Sequence, residues 1–140
     1  MLVELARAGA EFVVVGGFAV AFHGHPRATK DIDVLVRATP ANATRVYRAL
    51  EAFGAPLSAF EVTESDFDSY DGMLQIGVAP IRIDILNRLT GVTFDEAMAE
   101  GCAFELEGHR IPVIGHAALV ANKTAVGREQ DIADVAALTR

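Results

Sequence analysis

Residues 15–34 of the chain read VGGFAVAFHGHPRATKDIDV. An apolar, β-branched run ends at the two glycines of this stretch, and the composition of residues 18–23 is typical of a helix that begins directly at them. Residues 25–30 form a predicted loop, and residues 31–36 a predicted second strand rich in Val, Ile and Leu. The stretch therefore predicts a strand, a helix and a second strand in close succession.

Two carboxylates lie two residues apart on that second strand. Side chains alternate across a strand, so Asp31 and Asp33 point the same way, about 7 Å apart. Without a nearby cation, one of them should have a raised pKa. Because hard divalent cations prefer oxygen ligands, the pair predicts a metal site. The alternative is a charged sheet edge or ion pairs with Arg27, Lys30 or Arg37.

A third aspartate occurs in a later apolar strand, Ile81-Arg82-Ile83-Asp84-Ile85. Arg82 and Asp84 share one face of this strand, and the isoleucines share the other. If the strand lies beside residues 31–36, Asp84 reaches the other two aspartates and can serve as metal ligand and general base. The alternative is an Arg–Asp pair on a solvent-exposed face.

The glycines at positions 16 and 17 indicate a second feature of the same site. A helix that begins at glycines presents free backbone N–H groups at the positive end of its dipole. Glycine also lets a phosphate approach that backbone closely. Gly16 and Gly17 therefore predict a phosphate-binding turn, and the alternative is a tight turn that binds no ligand.

The composition limits the classes of function. The chain has 140 residues, 51% of them apolar, and a net charge of −7. An acidic domain of this kind is a poor candidate for strong non-specific binding to nucleic acid. A lone cysteine, Cys102, excludes an intramolecular disulfide and a cysteine-based zinc site, and favours a reducing cytoplasmic setting. The apolar run Phe12–Phe22 is too short to span a bilayer and is predicted to be core, so no membrane association is expected.

The remaining pattern predicts an α+β (α/β) fold, a small mixed β-sheet with helices packed on it. Helices are expected at 2–9, at 40–53 behind Thr39, in a short segment that opens at Thr93, and from 116 onward with an interruption at Gly127. Further strands are expected at 11–15, 73–78, 81–86, 103–106 and 110–114, and residues 55–72 are expected to be irregular. No repeat or linker divides the chain, so one domain over residues 1–140 is predicted.

Other enzyme classes find little support. The chain has no Gly-x-Ser-x-Gly elbow, no Walker A pattern and no Gly-x-Gly-x-x-Gly fingerprint. A glycosyltransferase with paired aspartates would explain neither the two glycines nor Asp84. Near the C-terminus, Lys123 or Arg128 can be interpreted as a ligand of nucleotide phosphates. The alternative for this stretch is a solvated helix face with internal ion pairs.

Taken together, these residues resemble the signature of the nucleotidyltransferase superfamily that includes DNA polymerase β. More narrowly, the chain is similar to the small bacterial nucleotidyltransferases grouped with the AbiEii toxin proteins. The resemblance rests on residues 15–34 and 82–86 and on a C-terminal set, so it spans most of the chain. That set consists of Asn122, Lys123, Gly127, Arg128, Asp131 and Asp134.

The resemblance implies a two-metal reaction in which a nucleoside monophosphate moves from an NTP to an acceptor hydroxyl and pyrophosphate is released. Asp31 and Asp33 would hold two Mg²⁺ ions, with Mn²⁺ as an alternative, and Asp84 would be the third carboxylate. Gly16 and Gly17 would cradle the phosphates. Further contacts to the triphosphate would come from Arg27, Thr29, Lys30, Lys123 and Arg128.

The chain also departs from the family pattern. Many relatives have a serine just after the first glycine, where this chain has Gly17 and then Phe18. Relatives often append an acceptor-binding domain, for which 140 residues leave no room. We therefore expect a minimal domain whose acceptor site a partner protein completes. The acceptor is a protein side chain, an RNA end or a small molecule, and acidity disfavours RNA unless a basic partner helps.

Two other functions stay open at this point. One is a nucleotide-binding module that keeps the metal site but acts only through a partner protein. The other is an interaction domain whose aspartates pair with Arg27, Lys30 and Arg82 and need no metal. The resemblance itself implies a toxin–antitoxin or phage-defence setting.

Overall fold

The computed structural model describes residues 1–26, 28–29, 31–68, 73–76 and 82–140. The helices are α1 (Leu2–Arg7), α2 (Gly16–Phe22), α3 (Pro40–Phe53), α4 (Phe94–Met98), α5 (His116–Val126) and α6 (Glu129–Leu138). The strands are β1 (Phe12–Val15), β2 (Asp31–Val36), β3 (Met73–Ile76), β4 (Arg82–Leu86), β5 (Ala103–Leu106) and β6 (His109–Pro112). This mixed arrangement confirms the predicted α+β fold class.

A four-stranded mixed sheet in the order β1-β2-β4-β3 forms the centre of the fold. β1 runs antiparallel to β2, and β3 runs antiparallel to β4. The two middle strands, β2 and β4, are parallel, with Asp33 opposite Asp84. Because parallel neighbours begin at the same edge of a sheet, these two strands bring polar residues from distant parts of the chain together.

The predicted hairpin forms a second, two-stranded sheet of β5 and β6. Its turn places Glu107 and Gly108 at φ angles of 50° and 79°, as a tight two-residue hairpin turn requires. Beyond β6, Val113 forms an isolated parallel bridge with Val14, and the Ile114 N–H donates to the Val14 carbonyl at 2.9 Å. The segment after the hairpin thereby pairs with β1 on the side away from β2.

Helix boundaries follow the local signals in the sequence. The Thr39 hydroxyl accepts a hydrogen bond from the Asn42 N–H at 3.2 Å, and Pro40 occupies the first turn of α3. α4 begins with a capping box of Thr93 and Glu96. Gly127, at φ 69°, ends α5 and separates it from α6, as predicted.

One segment differs from its prediction. Residues 55–72 were expected to be irregular, but two short 3₁₀ helices form at Ser58–Phe60 and Glu64–Phe67. Phe67 is buried in the core, and a capping box of Thr63 and Asp66 starts the second of these helices. Among the described residues of this stretch, Leu57 and Phe67 are buried, so apolar side chains anchor part of a polar segment to the core.

The core consists of the apolar side chains of the sheet and of the helix faces that cover it. Residues 12–15 are all buried, as are Ala19 and Val20 of α2, which confirms the prediction that this run is core. Phe22, at the end of the run, is 38% exposed. Among the described residues, no helix combines the length and the apolar character needed to cross a membrane.

Candidate active site

The site is built around a pair of aspartates on the two parallel strands. Asp33 of β2 and Asp84 of β4 are direct neighbours in the register, which meets the condition that the sequence left open. Asp84 is 6% exposed, and Asp33 is half-buried. Burial raises the pKa of Asp33 to about 6, with further increases from a hydrogen bond to Asp84 and from the charges of Asp84 and Asp31. The pair therefore retains a proton more readily than isolated aspartates would.

One carboxylate oxygen of this pair lacks a hydrogen-bond partner in the described part of the chain. Asp84 Oδ1 is buried and has no hydrogen-bond partner among the described residues. Such an oxygen is costly to bury unless a donor or a cation satisfies it. Mg²⁺ commonly binds one or two carboxylates and completes its shell with water and substrate phosphates. Asp33 and Asp84 therefore fit a Mg²⁺ site of this kind.

Asp31 lies on the same face of β2 but has a different partner. Its Oδ1 is 3.3 Å from Arg82 Nε across the strand pair, and both side chains are partly exposed. Within the described ranges, no three His, Cys, Asp or Glu side chains form a group that could hold a metal ion. The structure thus joins Asp33 with Asp84 and pairs Asp31 with Arg82.

A glycine is required at position 16 for two reasons. Gly16 has a φ of 70°, which is strained for other residues. A side-chain carbon built on Gly16 would also overlap the carboxylate of Asp33. The backbone at the start of α2 can approach the aspartate pair only because position 16 carries no side chain.

The aspartate pair lies in a cavity of about 360 Å³, within the size range of small-ligand pockets. The cavity is lined by Val15, Gly16, Asp31, Asp33, Asp84, Leu86, Arg88, Leu89, Thr90, Asn122, Lys123, Val126, Arg128 and Asp131. Acidic and basic side chains are mixed in this lining. It can therefore accommodate both a cation and an anionic group.

Lys123 and Arg128 line the cavity, but their charges are engaged by carboxylates. Lys123 Nζ lies 3.1 Å from Asp131 Oδ1 and 3.0 Å from Asp134 Oδ2, and its side chain is 5% exposed. Arg128 Nε lies 2.7 Å from Asp131 Oδ2, while 74% of the Arg128 side chain is exposed. The internal ion pairs considered as an alternative are thus present: the Lys123 pairs are buried, and the Arg128 pair joins an exposed guanidinium to a buried carboxylate.

These pairs determine the protonation of Asp131. Burial alone would raise its pKa, but hydrogen bonds from Arg128 and Lys123 outweigh that effect and lower the pKa to about 2. Asp131 is therefore ionised throughout the neutral range. It holds both cations at the rim of the cavity.

Other predicted phosphate contacts are placed less centrally. Thr29 is exposed, and its hydroxyl donates to the Asp31 carbonyl at 3.1 Å. Gly17 is buried in the first turn of α2. Within the described part of the chain, neither residue lines the cavity. Arg27 and Lys30 lie outside the described residues.

Four polar cavity residues were not predicted as site residues: Arg88, Thr90, Asn122 and Asp131. Arg88 and Thr90 follow directly after β4, so polar residues just beyond the end of a buried strand were the available signal. Asn122 Nδ2 donates to the Thr90 carbonyl at 2.9 Å and joins α5 to this segment. That contact depends on packing between distant segments, and the local sequence does not indicate it.

Comparisons with known proteins identify the family and the fold of the chain. Residues 1–140 match the family described as "Nucleotidyl transferase of unknown function (DUF2204)". The fold is similar to the crystal structure of a protein from Thermotoga maritima (TM1012) described as a "putative nucleotidyltransferase". The TM-score is 0.51 at 17% sequence identity, over 99% of this chain and 88% of that one. A search of curated proteins gives no match. The chain is therefore a member of this nucleotidyl transferase family and, with it, of the transferases.

Proposed function

We propose that the protein is a Mg²⁺-dependent nucleotidyltransferase that moves a nucleoside monophosphate from an NTP to an acceptor hydroxyl and releases pyrophosphate. The observation that carries this proposal is the Asp33–Asp84 pair in the cavity, with the buried Asp84 Oδ1 lacking a partner. Family membership gives the reaction class. The carboxylate pair gives the place where the reaction would occur.

Asp33 and Asp84 would hold the metal, and Asp31 would join them when it is released from Arg82. Two Mg²⁺ ions are expected, with Mn²⁺ as an alternative. When bound, they would neutralise phosphate charge and polarise the reacting phosphoryl group. Asp84 would also accept the proton of the acceptor hydroxyl, since a buried carboxylate with a free oxygen is suited to that role.

The phosphates would lie toward Gly16 and Arg128. The absence of a side chain at Gly16 leaves the backbone beside Asp33 accessible to a phosphate oxygen. Arg128 is largely exposed and has donors in addition to those directed at Asp131, so it would reach the triphosphate more readily than the buried Lys123. Lys123 would contribute its charge from a fixed position. Gly17, Arg27, Thr29 and Lys30 remain proposed phosphate contacts.

The acceptor and the biological setting are also part of the proposal. A net charge of −7 disfavours an RNA end as acceptor unless a basic partner helps. A protein side chain or a small molecule is then favoured, with a partner protein completing the acceptor site. The lone cysteine favours the cytoplasm, and the family resemblance favours a toxin–antitoxin or phage-defence role.

One observation favours a second function, nucleotide binding without transfer. Asp31 is paired with Arg82, which leaves the Asp33–Asp84 pair as the carboxylates that face each other among the described residues of the site. A site that does not recruit Asp31 could bind a nucleotide and a single ion while acting through a partner protein. Labelled transfer separates the two functions.

The test uses NTPs labelled at the α-phosphate or at the γ-phosphate, with Mg²⁺ and a cell extract that supplies acceptors. We expect α-label in one acceptor fraction and γ-label only in pyrophosphate. Asp84→Asn should abolish both signals. The matched control is Asp95→Asn, because Asp95 is 79% exposed and pairs with Arg37. Mg²⁺-dependent NTP binding without label transfer would instead support the binding function.

A further inference from the structure

Asn122 is a buried polar residue at the cavity that no part of the proposed reaction uses. It lies on α5, is 6% exposed and lines the same cavity as Asp33 and Asp84. Its Nδ2 donates to the Thr90 carbonyl at 2.9 Å. Because a carbonyl can only accept, this bond fixes which end of the amide is nitrogen.

The oxygen of the same amide is available to accept a hydrogen bond. Within the described part of the chain, Asn122 Oδ1 accepts no hydrogen bond. This oxygen is neither hydrogen-bonded to the described residues nor fully enclosed by them, so it is accessible from the cavity. An acceptor that lines a cavity and lacks a partner is suited to a ligand that brings a donor.

The surroundings of Asn122 indicate which part of a ligand it would meet. Leu86, Leu89 and Val126 contribute apolar surface to the cavity. Val126 follows Asn122 by one helical turn on α5, so the two side chains share a helix face. Charged carboxylates form another part of the lining, where phosphates and a cation belong. Apolar side chains and one amide in the same cavity suit a flat ring with polar groups at its edge.

The segment that orients Asn122 is held tightly. Gly91 follows Thr90, has a φ of 75°, and would place a side-chain carbon 2.8 Å from Ala125 Cβ. The backbone of this turn therefore packs directly on α5. The Thr90 carbonyl and Asn122 are held together by this packing, which gives the amide a defined direction before any ligand binds.

The geometry points to Asn122 as the residue that recognises the nucleotide base. Its Oδ1 accepts a hydrogen bond from an N–H group on the base edge, and the ring lies against the apolar part of the lining. Asn122 thereby sets which NTP is preferred. This inference rests on the proposed function, because it assumes that the phosphates bind beside Asp33 and Asp84.

The test is isothermal titration of the full chain, in Mg²⁺, with α,β-imido analogues of the four NTPs and with inorganic tripolyphosphate. Tripolyphosphate has the phosphates but no base. We expect the unaltered protein to prefer one NTP, and to bind it more tightly than tripolyphosphate. Asn122→Ala should weaken binding of that NTP about tenfold, which is the effect of one lost hydrogen bond. It should also reduce the preference among bases and leave tripolyphosphate binding unchanged.

Two further variants complete the design. Thr124→Ala is the matched control, because Thr124 lies on the same helix, is exposed, and bonds only to the Val120 carbonyl among the described residues. It should behave as the unaltered protein does. Asn122→Ser keeps a hydroxyl near Thr90 and should also lose the preference among bases. It replaces Asn122→Ala in the titrations if that variant does not fold.

Several results would overturn the inference. An equal loss of tripolyphosphate and NTP binding would mean that Asn122 only supports the structure of the cavity. An unchanged preference among bases in both Asn122 variants would remove its role in recognition while leaving the proposed function intact. If the unaltered protein bound neither NTP nor tripolyphosphate, the proposed function would fail, and the inference would fail with it.

Discussion

Asp33 and Asp84 lie directly opposite each other on two parallel strands, and burial together with the neighbouring Asp84 raises the pKa of Asp33 to about 6. Two neighbouring carboxylates repel each other less when one of them carries a proton. A divalent cation would replace that proton and would also satisfy the buried Asp84 Oδ1. The protonation of this pair therefore makes both the stability of the fold and the binding of a metal depend on pH.

The first prediction concerns stability in the absence of metal. The pKa of Asp33 is raised from 3.8 to about 6, so the folded state binds more protons than the unfolded state between these values. The stabilisation is present below pH 4 and is lost as pH rises through 6. Asparagine does not ionise, so Asp33→Asn should not lose stability as pH rises through 6. In EDTA at pH 7 we therefore expect the variant to unfold at a higher urea concentration than the unaltered protein.

Magnesium provides the control for this prediction. Adding Mg²⁺ and NTP should raise the stability of the unaltered protein at pH 7 and leave that of Asp33→Asn unchanged. A variant that is less stable than the unaltered protein at pH 7 without metal would show that Asp33 is not under repulsion in the folded state.

The second prediction concerns Gly16. Gly16→Ala adds both a strained φ and an overlap with the Asp33 carboxylate, whereas Gly9→Ala adds only the strain, since Gly9 has a φ of 69° and open space around it. The strain alone costs roughly 1–2 kcal/mol. Urea unfolding should show a clearly larger loss for Gly16→Ala than for Gly9→Ala. Equal losses would argue against close packing of Gly16 on Asp33.

The third prediction separates structural from substrate-binding cations. Lys123→Met leaves Asp131 and Asp134 buried without their shared cation, so we expect the free energy of unfolding to fall by about 3–5 kcal/mol. Arg128→Gln should cost about 1 kcal/mol or less, because its side chain is mostly exposed and Asp131 keeps Lys123. Calorimetric unfolding measures both values.

Nucleotide binding gives the complementary result. Arg128→Gln should weaken Mg²⁺–NTP binding in a protein that remains folded. If Lys123→Met were as stable as the unaltered protein yet lost NTP binding, Lys123 would be a phosphate ligand and the buried ion cluster would contribute little to the fold.

The fourth prediction concerns acid unfolding. The pKa of Asp131 is lowered from 3.8 to about 2, so its contribution to stability is complete above pH 4 and is lost as pH falls toward 2. Asp131→Asn should be less stable than the unaltered protein at pH 5, and the difference should shrink below pH 4. A difference that stays constant across this range would contradict the role of Asp131 as an ionised anchor.

The elements of the fold could be predicted because their signals are local. Thr39 and Pro40 mark the start of α3, Gly127 marks the break between α5 and α6, and alternating side chains place Asp31 and Asp33 on one face. The pattern left the position of Asp84 conditional on which strands are neighbours, and the parallel pairing of β2 and β4 fulfils that condition.

Partners formed by packing could not be predicted in the same way. Sequence alone gives Lys123 a charge but not its burial, which arises where α5 and α6 meet. The pairing of Asp31 with Arg82 was one of the alternatives that the sequence left open, and the register of β2 and β4 selects it. The contact between Asn122 and Thr90 joins residues 32 positions apart. Each of these contacts is determined by tertiary packing rather than by a local motif.

The most direct test of the central claim is thermal unfolding of the full chain with each NTP, with and without Mg²⁺, for the unaltered protein and for Asp84→Asn. A ligand that binds only the folded state stabilises it by about 2.7 kcal/mol at a hundredfold excess over its Kd. We predict a stabilisation that requires both NTP and Mg²⁺ and is lost in Asp84→Asn. Stabilisation by NTP without Mg²⁺, or an equal effect in Asp84→Asn, would contradict a metal site at the Asp33–Asp84 pair.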